Sequence, residues 1–363
     1  MSNRLWTTRA YQPGDLAGIL ALRRATFGEV DKERLLPEVW KWQFIDNPAG
    51  PGCMRLADHD GTIVGQNSAI PTRFNLASRP GIESILALSC DTMTHPAYRK
   101  QGMFTTLAEE LYAELAERSG ITTVWGFPNA NSHPGFVGKL GWFDIYEFPT
   151  WVKPIHSRHI LRRYVRSSGL AGILGGVADR LYRSVAAKPT QPRHCAIREI
   201  SGFDERFDAL WSRNRSLARV VQIRDPLYLQ WRYIAAPVFE YHPFEVLVAG
   251  SLEGYIVLRV QTLLNLRFGA VVDLFPCPIV DAEITREALS FAQLYATERD
   301  CAFLTALLPP VHVGHLTRFG FIKVPEVLNL RKWYFGARCL ATDEPLLRDI
   351  NNWYITYGDS DIV

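Results

Sequence analysis

Apolar and polar residues alternate through the first 150 positions in blocks that predict a mixed sheet flanked by helices. Leu5–Gln12 has the two-residue period of a strand, and Asp15–Phe27 the helical period, with a basic outer face. Pro37–Ile45 predicts a second, short helix, stopped by Asn47-Pro48 and the cluster Gly50-Pro51-Gly52. Met54–Ala57 and Thr62–Ile70 form a hairpin around the turn Asp58-His59-Asp60-Gly61. Ile85–Thr94 is a strongly apolar strand that runs into a loop and then an amphipathic helix from Met103 to about Ser119. Ile121–Phe127 is another buried strand, and Phe136–Leu140 a short helix ended by Gly141.

The pattern changes at residue 151. Trp151–His194 carries Lys153, Arg158, Arg162, Arg163, Arg166, Arg180, Arg183, Lys188 and Arg193 against the single acid Asp179, so the rest of the chain is net acidic. The stretch ends in the proline-bearing Lys188-Pro189-Thr190-Gln191-Pro192. Beyond it the first half recurs in order. Leu36-Pro37 through Trp42 to Pro48 matches Asp225-Pro226 through Trp231 to Pro237, and Gly61–Val64 matches Gly254–Val257. Asp91-Thr92-Met93 matches Asp273-Leu274-Phe275, and Lys139–Trp142 matches Arg318–Phe321. Such an ordered series indicates a duplicated domain. The expected organisation is an N-terminal domain over 1–150, a basic helical linker over 151–194, a second domain over 195–345 and a tail over 346–363.

Length agrees with two domains, because 363 residues are many for one core. A net charge of +3 is too small to indicate nucleic-acid binding. Cys53, Cys90, Cys195, Cys277, Cys301 and Cys339 are scattered, with no Cys-x-x-Cys pair or histidine spacing for a metal, and read as reduced thiols. The first residues lack the apolar stretch of a secretory signal, and Gly169–Val177 is shorter than the roughly 20 residues of a bilayer span. A cytoplasmic location is the expectation.

Chemistry concentrates in one loop. The apolar strand ends at His95-Pro96, Arg99-Lys100-Gln101-Gly102 follows, and a helix begins at once. The first N–H groups of a helix and the positive end of its dipole suit a diphosphate. Gly102 permits close backbone approach, and Arg99 and Lys100 add charge. An ordinary strand-to-helix turn with solvated cations is the plain alternative.

Arg99-Lys100-Gln101-Gly102-Met103-Phe104 resembles the Arg/Gln-x-x-Gly-x-Gly/Ala pyrophosphate loop of the GNAT acyltransferase superfamily. Thr94–Tyr98 resembles the family's lead-in to that loop, and Val124–Asn131 with Phe136–Trp142 resembles its fifth strand and following helix. Phe104 stands where the family prefers Gly or Ala. The likeness covers residues 5–150 and extends onward through the repeat. It implies an α/β fold of two GNAT-like domains in tandem, each a mixed, mostly antiparallel sheet flanked by helices. Acetyl-CoA or another acyl-CoA would be the donor, held by Met93, Thr94, Arg99, Lys100, Gln101, Gly102, Met103, Phe104 and Asn131. The second half lacks the loop, since Pro276–Glu283 brings acids that repel a diphosphate. It is expected to shape the acceptor site.

The resemblance implies direct attack of a neutral amine on the thioester, with N–H groups near Met93 and Thr94 polarising its carbonyl. The family's tyrosine acid falls at Phe136. His133 is therefore the first candidate acid or base, with Asn129 beside it. Asp91 and Glu83 are the alternative bases, although Asp273 in the repeat favours a structural Asp91. Cys90 reads as a buried, inert thiol.

A nucleotide-linked amino sugar is the preferred acceptor, and an aminoglycoside the second. The basic linker reads as a solvated face, a contact for an anionic acceptor or a peripheral contact with anionic lipid. Competing with catalysis are a GNAT-like protein that binds CoA as a regulatory ligand and a structural surface module.

Overall fold

A computed structural model describes residues 5–28, 32–117, 120–162, 167–186, 188–263, 265–276, 280–328 and 332–361. The first half runs β1 (Thr7–Ala10), α1 (Leu16–Phe27), α2 (Pro37–Phe44), β2 (Cys53–His59), β3 (Thr62–Leu76), β4 (Glu83–Thr94), α3 (Met103–Glu117), β5 (Ile121–Gly126), α4 (His133–Leu140) and β6 (Phe143–Phe148). A connecting segment holds β7 (Trp151–Pro154), α5 (Ser157–Leu161) and α6 (Ser168–Val185). The second half follows as β8 (Ala196–Glu199), α7 (Glu205–Asn214), β9 (Val220–Gln222), α8 (Pro226–Leu229), β10 (His242–Val248), β11 (Ser251–Leu263), β12 (Leu266–Phe275), α9 (Ala282–Glu298), β13 (Phe303–Ala306), α10 (Val313–Arg318) and β14 (Ile322–Lys323). The chain closes with β15 (Trp333–Cys339) and β16 (Trp353–Tyr354).

The fold class is the expected one: two mixed sheets, mainly antiparallel and flanked by helices. Their strand orders are β1-β2-β3-β4-β5-β15-β6 and β8-β10-β11-β12-β13-β7-β14, the same sequence of roles twice. The sheets do not keep to the boundaries at 150 and 195, however. β7 inserts between β13 and β14, and β15 returns to insert between β5 and β6. The first sheet also receives β9, which pairs with β3, and β16, which pairs with β9, so the exchange is unequal. Trp151–Pro154 lies in the stretch expected to be a helical linker and is a strand instead, and local pattern carries no information about which sheet receives such a segment.

Several predicted boundaries move for identifiable reasons. β3 continues past Ile70 through Pro71 to Leu76. Pro71 has no N–H to donate, and it sits between Ala69, the last partner of β2, and Phe74, the first partner of β9. Leu5–Gln12 shortens to Thr7–Ala10, an edge strand paired only to β2. The short helix gains a turn, beginning at His133 with Pro134 in its first turn. The proline-bearing stretch at 188–192 is latched to α9, where Ser290 Oγ accepts from Thr190 N–H and donates to Thr190 O. Arg163, Arg166, Cys277 and the end of the predicted helix at Ser119 lie outside the described residues.

Trp42 and Trp231, matched by the sequence repeat, meet in space. Their rings stack at 4.9 Å between centroids, and each indole N–H donates to the other residue's carbonyl oxygen, at 2.8 and 3.0 Å. The contact marks a local two-fold relation between the halves. The tail belongs to the same interior: Leu347, Trp353, Ile355 and Tyr357 pack in one cluster with Phe44, Phe74 and Trp125. No helix among the described residues is long and apolar enough to cross a membrane.

Candidate active site

The site begins with an irregularity in β4. Gln66 pairs with Met93 and Ser68 with Cys90, so Asp91 and Thr92 together face Asn67 in a bulge. Asp91 takes φ +48, a conformation costly for a residue with a side chain. Arg23 holds it from 2.7 Å and Arg34 from 3.7 Å. Burial would raise the Asp91 pKa, but the charges of Arg23 and Arg34 and the Arg23 hydrogen bond prevail and hold it below the ordinary value. Asp91 is thus an ionised anchor for the bulge and a poor proton acceptor.

β4 and β5 then part. Their parallel register runs Ile85↔Ile121, Ala87↔Val124 and Leu88↔Trp125, whereas β4 continues to Thr94. The gap opens a cavity of about 230 Å³ bordered by Asp91, Thr92, Phe127, Asn129 and Phe136. His95 N–H donates to Val64 O on the β3 side at 2.9 Å, so alternation turns the N–H and C=O of Thr94 toward the gap. Met93 is a core residue.

Just beyond, the loop turns sharply into α3 through two residues of positive φ. Lys100 has φ +64 and Gly102 φ +78, and the Gly102 carbonyl accepts the Thr106 N–H of the first turn of α3. That first turn holds no acid, and Arg99, Lys100 and Gln101 are exposed. A Cβ on Gly102 would meet nothing within 4 Å, so the restriction there is backbone conformation, with open space above the glycine. Gln101 is steadied by the Trp6 indole N–H at 3.3 Å. Met103 is buried, its sulfur standing where a side chain on Gly65 would be. Phe104 turns toward α4, edge-on to Phe136, and bare Gly135 makes room for it. The second half differs at this point. The N–H groups of Glu283 and Ile284 at the start of α9 are already taken by the Asp281 carboxylate, with Glu283 adding a further negative charge.

The remaining sequence candidates separate. Asn129 borders the small cavity but spends its side-chain oxygen on the N–H groups of Asn131 and Ser132. Asn131 is exposed. His133 borders neither cavity; it bonds Asp144 at 2.8 Å and stacks on Tyr334 at 3.9 Å. Glu83 lies at the far end of β4, paired with Arg73 at 2.6 Å. Cys90 is buried, and burial, with the Asp91 charge, pushes its thiol well above the usual range. Elsewhere His194, Glu283 and Glu287 bring ligand-type atoms within 4.8 Å of one another. The Glu287 carboxylate accepts the N–H groups of Arg193, His194 and Cys195, which accounts for its buried charge.

A second cavity, of about 760 Å³, lies between the halves. Trp42, Trp231, Phe239, Phe303 and Trp333 are among its walls, and the chain's tail crosses it. The tail is bound tightly. Arg232 donates to the carbonyl oxygens of Gly358 and Ser360, both at 3.1 Å, and buried Arg224 donates to Asp359 at 2.7 Å. Asp361 then stands 3.9 Å from Arg34. Arg34 and Asp361 border both cavities, so the splayed strands and the interdomain space meet there. Sequence reasoning singled out neither residue. The run Trp353-Tyr354-Ile355-Thr356-Tyr357, apolar or aromatic at every position but Thr356, was the available sign that the tail is buried.

Residues 7–143 match the family model of an acetyltransferase (GNAT) domain. No curated protein matches the chain by sequence. Among solved structures, a conserved protein of unknown function from Enterococcus faecalis, described as a probable N-acyltransferase, is 12% identical with a TM-score of 0.62 over 93% of this chain and 72% of that one. A GCN5-related N-acetyltransferase from Anabaena variabilis is 11% identical with a TM-score of 0.62, over 92% and 73%. Saccharomyces cerevisiae N-myristoyltransferase with bound myristoyl-CoA is 12% identical with a TM-score of 0.61, over 95% and 84%. At these identities the likeness is one of fold, and it extends over nearly the whole chain.

Proposed function

We propose that this chain is an acyl-CoA-dependent N-acyltransferase, with the donor in its first half and the acceptor amine between the halves. The carrying observation is that the cavity between splayed β4 and β5 meets the interdomain cavity at Arg34 and Asp361. The residues present fit a CoA thioester. The start of α3, with no acid in its first turn and with Arg99, Lys100 and Gly102 before it, suits the diphosphate, and Thr94 offers its backbone to the pantetheine arm.

In the proposed reaction the amine nitrogen bonds to the thioester carbonyl carbon and the carbon–sulfur bond breaks. Sulfur leaves as thiolate and is then protonated. The ammonium proton must be lost first, and Asp361 is the carboxylate that borders both cavities. We assign it the role of proton acceptor in place of His133. Asp91 and Arg23 position the bulge that shapes the donor site. Phe136, at the family's tyrosine position, supplies an apolar wall.

A nucleotide-linked amino sugar is the acceptor we would screen first, because aromatic walls and arginines together suit a base, a sugar and a diphosphate. An aminoglycoside is the rival. Binding of CoA as a regulatory ligand alone is the other reading, and release of free thiol with any amine decides against it. The experiment is calorimetric titration of acetyl-CoA and longer acyl-CoAs into wild type and Gly102→Glu. Glutamate there both disfavours positive φ and repels phosphate, so saturable binding is expected in wild type and loss of at least tenfold in the variant. Silence of the wild type toward every acyl-CoA would overturn the proposal.

A further inference from the structure

Arg259 is the anomaly in the interdomain cavity. It follows Tyr255 and Val257 along one face of β11 and borders the cavity, half-buried. Its guanidinium lies 4.9 Å from the centre of the Phe239 ring and 5.3 Å from that of Tyr241. Among the described residues it makes no hydrogen bond and has no carboxylate within ion-pair distance. The other arginines of the cavity are differently placed: Arg232 serves Gly358, Ser360 and the Tyr241 hydroxyl, and Arg34 stands with Asp91 and Asp361. Desolvation lowers the Arg259 pKa, and Tyr241 and the Glu33 charge oppose it only in part, with no carboxylate among the described residues in ion-pair contact to complete the compensation.

Three further side chains in the same walls have unmet hydrogen-bonding capacity among the described residues: Gln43, Gln222 and Asp359, whose second carboxylate oxygen, Oδ1, has no partner. Gln43 and Gln222 are 5% and 3% exposed, and Gln43 Nε2 and Gln222 Oε1 have no hydrogen-bond partner. A purely apolar occupant would leave these amides and Arg259 unsatisfied. Carboxylates also border the cavity, at Glu33, Asp359 and Asp361, but Asp359 is held by Arg224 and Asp361 stands by Arg34.

We infer that the interdomain cavity takes an acceptor that carries an anionic group, a carboxylate or a phosphate, bound by Arg259 against an aromatic wall. The group would meet the N–H edge of the guanidinium fork in its own plane, beside the rings that the guanidinium already covers, with Gln43 and Gln222 bonding the polar part of the same molecule. Calling that molecule the acceptor rests on the acyltransferase reading; the anion site itself does not. A polycationic aminoglycoside is disfavoured by the same charge.

The test is calorimetry on the full chain saturated with CoA, which occupies the phosphate loop, or on Gly102→Glu if CoA does not bind. Matched probes are uridine diphosphate against uridine, and 4-phenylbutyrate against 4-phenylbutyramide. At least one anion should bind about tenfold more tightly than its neutral partner, the difference expected of a charged hydrogen bond. Which pair responds tells phosphate from carboxylate. Arg259→Gln should abolish the preference while leaving acetyl-CoA affinity unchanged, and Arg259→Lys should restore part of it. Equal binding of both members of each pair, a preference that survives Arg259→Gln, preferential binding of kanamycin, or silence of both anions at millimolar concentration would each overturn the inference. Loss of the acyltransferase reading with an intact Arg259-dependent preference would leave the anion site standing.

Discussion

At the scale of single residues, the site is organised by charges whose partners are fixed. Asp91 is ionised and spent on Arg23 and Arg34, which leaves Asp361 as the carboxylate placed to receive a proton where the cavities meet. Asp361→Asn keeps the shape and removes the base. Its turnover number should fall about 100-fold, within the usual range for general-base loss, with acetyl-CoA affinity unchanged. Steady-state kinetics with thiol detection reads this directly. His133→Gln is the paired control and should leave turnover near wild type; the opposite pattern would return the role to His133.

At the scale of elements, α6 presents two faces of different character. Ala171 and Asp179 are buried, the Asp179 carboxylate accepting the Ser157 N–H that starts α5. The other face exposes Leu170, Ile173, Leu174, Val177 and Leu181, a stripe about 100° wide at helical spacing. Exposed Arg162 and Arg180 accompany it. Of the three roles open to the basic segment, we therefore favour contact with anionic lipid. The chain should co-sediment with phosphatidylglycerol-containing vesicles and much less with pure phosphatidylcholine. Ile173→Glu with Leu181→Glu should lower that binding at least tenfold, since each loses apolar burial and adds repulsion. Wild-type protein left in the supernatant with both vesicle types would exclude the contact.

At the scale of the whole molecule, the halves are joined by exchanged strands, the stacked Trp42 and Trp231, and the tail. Arg224 is the tail's principal tether. It is 1% exposed and pairs with Asp273 at 3.3 Å and Asp359 at 2.7 Å. Burial opposes its charge, but those two carboxylates raise its pKa well above the ordinary value. Arg224→Met leaves two carboxylates buried and uncompensated, which costs about 3–5 kcal/mol of a typical 5–15 kcal/mol. The urea midpoint should drop accordingly. Turnover should fall with it below the transition, as Asp361 loses its support. A midpoint shift corresponding to less than about 1 kcal/mol would show that the ion pairs do not hold the tail.

What the sequence determined is what local chemistry can specify. Periodicity placed β4, α3 and β5, because burial on one face is written in the spacing of apolar residues. The loop at Arg99–Gly102 was legible because a positive-φ glycine, two cations and a helix start are adjacent in the chain. Trp42 and Trp231, matched in the sequence, stack on one another in the structure. Tertiary structure alone decided which sheet receives β7 and β15, since a strand's pattern does not name its partner. It alone brought Asp361 to Arg34 and Asp91, residues more than 260 positions apart, and set Arg259 against the Phe239 and Tyr241 rings with no carboxylate among the described residues at ion-pair distance. It also turned His133 away from both cavities, toward Asp144 and Tyr334. Those juxtapositions depend on how two halves and a tail close on one another, and no window of sequence contains that information.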